Sequence, residues 1–130
     1  MMRVSLDRME EIAHETVAQF PQPFARLAQG VAIRAVDWLP DHLLDPHDDA
    51  RAQREEITGM YDGIPLTEKS VFDQPEGPDV VWLFRAPILM ELAERDVTLE
   101  ELVAHVTVHE FAHHFGWSDD DIAAIDRWWE

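Results

Sequence analysis

The 130-residue chain contains no cysteine. Disulfides and thiolate ligands are therefore excluded, and any metal ion must be held by imidazoles and carboxylates. Positive charge is scarce as well: 10 Lys and Arg stand against 27 Asp and Glu, a formal net charge of −17. Phosphate backbones are bound through Lys and Arg, so no nucleic-acid partner is expected, and no anionic membrane surface either. No apolar run approaches the roughly 18 residues of a membrane span. The opening Met1-Met2-Arg3-Val4-Ser5 lacks an apolar leader segment. The expectation is a soluble, cytoplasmic protein with neither nucleic acid nor membrane as partner. A neutral or cationic substrate, or a divalent cation, suits so acidic a chain.

What is present suits one folded domain over residues 1–130. The hydrophobic fraction is 46%, and five Trp and six Phe supply bulky core material. Near-helical spacing of Leu6, Met9, Ile12, Ala13, Thr16 and Val17 predicts a helix over residues 5–19, capped by Ser5 or Asp7 and stopped by Pro21 and Pro23. A short helix over 24–29, ended by Gly30, and a strand over 31–38 follow. Residues 40–56 read as an acidic loop with one helical turn near its end. His42, Asp45, His47, Asp48 and Asp49 lie there, at spacings that match no ligand pattern. Residues 57–61 and 64–66 about the turn Asp62-Gly63 suggest a hairpin. Residues 79–85 form the strongest strand, after a turn at 74–78, and Pro87 opens a helix through Glu94. Thr98, with Glu101 three residues on, caps a long helix that Gly116 stops. A last helix is expected over 119–129, capped by Ser118.

The chemistry is concentrated on the helix that Thr98 opens. His109-Glu110-Phe111-Ala112-His113 places two imidazoles four residues apart, on one helix face and about 6 Å apart along its axis. Such a pair converges on one zinc ion, while the intervening glutamate stays off the metal and serves as a base. Zinc needs at least a third protein ligand. After Gly116 turns the chain back, Asp119 is the favoured candidate, with Asp120 and Asp121 as alternatives. All three also suit the first turn of a helix. His105 lies one turn before His109 and is read as a polar neighbour, because a straight helix cannot bring His105, His109 and His113 to one ion. His114 points about 100° away from His113, towards solvent or the following helix. His14 has no local partner. Tyr61, the only tyrosine, is read as a strand residue packing beside the turn, with oxyanion stabilisation as the alternative.

The string from His109 to Asp119, His-Glu-Phe-Ala-His-His-Phe-Gly-Trp-Ser-Asp, resembles the small bacterial zincin-like metallopeptidases, or minimal zincins. Tyr61-Asp62-Gly63-Ile64-Pro65-Leu66 and the strand running into Pro87 are similar too, and the resemblance covers residues 30–129. It implies an α+β fold: a single domain with a small mixed sheet beside the active-site helix, and a C-terminal helix. It implies His109, His113 and Asp119 as zinc ligands and Glu110 as catalytic acid/base. A metzincin-type Met-turn is missing, since no Met follows Met90. The function so implied is zinc-dependent hydrolysis of a peptide or amide bond in a peptide or protein substrate. The rivals are a metal-dependent nuclease, opposed by Glu110 and by the acidity, and a zinc-binding protein without peptidase activity. Composition fixes no oligomeric state.

Overall fold

The computed structural model describes residues 4–68 and 79–117. The turn expected at 74–78, the helix expected at 119–129, and Asp119, Asp120 and Asp121 lie outside these residues.

Helix α1, Leu6–Ala18, starts at Ser5, whose hydroxyl accepts from the Arg8 N–H at 3.0 Å. It buries Met9, Ile12 and Ala13, the face that its spacing predicts. A short helix α2, Phe24–Leu27, leads through Gly30 into strand β1, Ala32–Val36. Gly30 has φ 85°, a left-handed conformation that glycine adopts without steric cost.

Residues 40–56 are more ordered than the loop expected of them. A 3-10 turn at Asp41–Leu43 precedes a full helix α3, Ala50–Glu56, capped by Asp49 on the Ala52 N–H at 3.0 Å. Buried Gln53 braces the segment. Its amide oxygen accepts from the Asp45 N–H and its amide nitrogen donates to the Asp45 carbonyl, at 2.8 and 2.9 Å. A polar side chain that satisfies loop backbone groups is invisible to periodicity.

The hairpin expected over 57–66 does not form. Strand β2, Gly59–Asp62, pairs instead with strand β3, Val80–Phe84, antiparallel and with Met60 opposite Trp82. Two features block a local return strand. Pro65 offers no ladder N–H, and the Ile64 carbonyl is drawn to within 2.9 Å of the Tyr61 hydroxyl. The chain then enters a 3-10 turn at Leu66–Glu68.

Among the described residues the sheet has order β1-β3-β2, with β1 parallel to β3. Central β3 is covered on both faces. Val81 and Leu83 join the main core, while Trp82 and Phe84 join a smaller cluster with Leu39 on the other face. Helix α4, Arg85–Glu94, follows β3 directly, starting two residues before Pro87. Pro87 sits in the first turn, where N–H groups lack intrahelical acceptors anyway. Helix α5, Leu99–His114, packs against α1, α4, β2 and β3 and buries Leu102, Val103, Val106, Val108, Phe111 and Ala112. The architecture is α+β, a small mixed sheet beside the helix that carries the motif. No described helix is long and apolar enough to cross a membrane.

Candidate metal centre

Both ends of α5 are fixed by local chemistry. The Thr98 hydroxyl accepts from the Glu101 N–H at 3.1 Å and lies 3.2 Å from the Glu101 carboxylate. At the other end Gly116 has φ 96°. The Gly116 N–H donates to the His113 carbonyl at 3.0 Å and the Trp117 N–H to the Ala112 carbonyl at 2.9 Å. These two bonds are the Schellman pattern that closes a helix on a left-handed residue.

This turn serves the motif directly. It brings the Trp117 carbonyl oxygen to 2.9 Å from His113 Nδ1. A carbonyl only accepts, so Nδ1 carries the proton and the lone pair of the neutral ring lies on Nε2. A histidine set to ligate through Nε2 has this second partner. The His109 and His113 rings lie 5.0 Å apart between centroids, at 78°. Both residues are half-buried, as is Glu110. The structure therefore brings His109 and His113 together. His105 is exposed, with its ring 6.5 Å from that of His109.

Glu110 faces the start of β2. A Cβ built on Gly59 would lie 3.3 Å from Glu110 Cγ, 2.6 Å from Val106 Cγ1 and 3.0 Å from the Trp82 carbonyl. Only glycine lets α5 approach the strand this closely. A cleft of about 320 Å³ opens at this junction. Residues 56–59, Glu91 of α4, Arg95 just after it, and His105, Val106, His109 and Glu110 of α5 line it.

His114 differs from its expected place towards solvent or a following helix. It is 3% exposed, its Nε2 lies 3.0 Å from the Leu27 carbonyl, and its Nδ1 lies 3.1 Å from the Tyr61 hydroxyl. Asp79 Oδ2 is 3.3 Å from the same Nδ1 and 2.8 Å from the Tyr61 hydroxyl. The Tyr61 hydroxyl is thus engaged inside the fold, which takes it away from oxyanion stabilisation. Burial, the hydrogen bond to Asp79, and the charges of Asp79 and Asp62 all raise its pKa. No sequence spacing signals this network, because its members are 18 and 53 residues apart.

Among the described residues no three His, Asp or Glu side chains are grouped to hold one ion. In the 42–49 segment Asp45 accepts from the His47 N–H at 2.9 Å, Asp49 caps α3, and the His42 ring lies edge-on to Trp82.

The chain matches the family model of zincin-like metallopeptidases over residues 28–129. It belongs to that family. A search of curated proteins finds no match. Among solved structures, a conserved hypothetical protein from Thermo thermophilus is 22% identical, with a TM-score of 0.49. That match covers 94% of this chain and 100% of the other.

Proposed function

We propose that the protein is a zinc-dependent peptidase that hydrolyses a peptide or amide bond beside Glu110. The observation that carries this reading is the pairing of His109 with a His113 whose Nδ1 is committed to the Trp117 carbonyl. Two imidazoles converging on one side, next to a carboxylate that faces a cleft, form a donor set that fits zinc. His109 and His113 would hold the ion, with Asp119 as the third protein ligand. When bound, zinc supplies Lewis acidity towards the substrate carbonyl and the attacking water.

The remaining steps belong to the chain. Glu110 accepts the proton of the attacking water and returns it to the leaving amine. Its half-buried position against β2 keeps the carboxylate close to any chain lying along that strand. The edge of β2 supports an extended substrate. The Phe84 N–H donates to the Thr58 carbonyl at 2.9 Å, so the alternation of an antiparallel ladder turns the backbone groups of Gly59 and Tyr61 away from β3. Strand addition at such an edge is a common mode of peptide recognition.

The test is hydrolysis of a mixed peptide library by the metal-stripped protein before and after addition of zinc. Cleavage that appears only with zinc, at peptide bonds, is the expected result. No cleavage in either state overturns the reading.

A further inference from the structure

The cleft beside Glu110 and His109 is also lined by Val106 and His105, by the end of α3 and by Glu91 and Arg95. Its walls combine two chemistries. Ile57 and Val106 supply apolar surface. Glu56, Glu91 and Arg95 supply charge, and Arg95 is already paired with Glu91 at 3.3 Å.

Glu56 is the unmatched charge. It is exposed and ends α3, where the helix macrodipole favours cations over acids. Its neighbour Glu55 is paired with Arg51 at 3.1 Å, whereas Glu56 has no hydrogen-bond or ion-pair partner among the described residues. Departures from local preference are expected at functional or strained positions. Glu56 stands at the rim of the cleft that holds the candidate base.

We propose that this cleft is a subsite for a lysine or arginine side chain of the substrate, selected by Glu56. The inference rests on the peptidase reading and names its substrate class. The aliphatic stem lies on Ile57 and Val106, and the charged head reaches Glu56 at the rim. Long basic side chains divide in this way between apolar wall and polar mouth. An acidic side chain would meet Glu56 and Glu91 with like charge, and Arg95 is already committed to Glu91. The net charge of −17 steers cationic peptides towards the molecule in general, but only the lining of the cleft ties the preference to one substrate position.

The experiment uses zinc-loaded Glu110→Gln protein, which lacks the base, and a positional peptide series carrying lysine, norleucine or glutamate at each site in turn. Binding is followed by fluorescence anisotropy, and cleavage by zinc-loaded wild type is profiled with the same peptides. At one position lysine is favoured over norleucine by roughly three- to tenfold, the range of a partly screened ion pair. Glu56→Gln in the same background removes the preference and Glu56→Lys turns it towards glutamate. Asp48→Lys changes the net charge as much as Glu56→Lys but lies away from the cleft, and it leaves the preference in place. Absence of a lysine preference at every position overturns the inference, as does a preference that survives Glu56→Lys or is lost equally in Asp48→Lys. The two readings fail separately. Cleavage indifferent to lysine sinks the subsite and leaves the peptidase, while Glu56-dependent lysine binding without cleavage sinks the peptidase and leaves the subsite.

Discussion

The Nδ1 of His113 lies 2.9 Å from the carbonyl oxygen of Trp117, four residues further along the chain. That bond ties the orientation of a candidate ligand to the turn that ends its helix. Gly116 sets the turn with φ 96°, and a Cβ there would collide with the Thr67 side chain. Gly116→Ala is therefore expected to displace the Trp117 carbonyl and to lower zinc affinity by about 10- to 100-fold, as loss of an outer-shell partner does. Competitive titration against a chelator measures it. Adding Thr67→Ala removes the Cγ2 and Oγ1 collisions but leaves the Cβ of residue 67 at 3.0 Å and the backbone strain, so affinity recovers only in part.

Gly59 is expected to be intolerant for a different reason. Its φ is ordinary, but a Cβ would meet Val106 Cγ1 at 2.6 Å and the Trp82 carbonyl at 3.0 Å. Gly59→Ala must push α5 from the sheet, at a cost of about 1–3 kcal/mol. Chemical denaturation reads that cost. Because Glu110 is carried on the displaced face, peptide hydrolysis falls further than stability alone accounts for.

Much of this was legible in the chain and some was not. Caps and stops are local, so Ser5, Thr98, Gly30 and Gly116 announce their helices, and the β-rich run at Val80–Phe84 announces its strand. The partner of a strand is not local. Asp62-Gly63 looks like a hairpin turn, yet β2 finds β3 about twenty residues on. The His109 and His113 pair follows from helical spacing alone. The burial of His114 does not, because it depends on Tyr61, Asp79 and Leu27 arriving from three other segments.

Tyr61 offers a pH test with a defined sign. The fold disfavours its anion, so its folded pKa is raised above the ordinary value of about 10. Below about pH 10 both folded and unfolded chains keep the proton, and this group makes stability independent of pH. Above it the unfolded chain ionises first, and stability falls as pH rises. As the chain has one tyrosine, the ultraviolet tyrosinate signal belongs to Tyr61 and should emerge at higher pH in the folded protein than in the unfolded chain. Tyr61→Phe should abolish this component of the pH dependence and cost about 1–3 kcal/mol at neutral pH, because it removes a hydroxyl that contacts Asp79, His114 and Ile64.

On the proposed reading one of three consecutive acids, Asp119, Asp120 or Asp121, supplies the third ligand. Asp119→Ala is expected to weaken zinc binding by at least about tenfold, the scale on which even an outer-shell partner acts. Asp120→Ala and Asp121→Ala should leave it near wild type. Isothermal titration of the three variants ranks them, and a larger loss in either of the latter two moves the ligand to that residue.

On the proposed reading Glu110 acts as the base and does not hold the metal. Its most direct test is the rate of peptide hydrolysis by Glu110→Gln relative to wild type, each loaded with one zinc per chain. The expected result is full metal occupancy with hydrolysis lowered by about 10²- to 10⁴-fold, the usual contribution of a positioned base. Equal rates for the two proteins at equal zinc content would rule out Glu110 as the base.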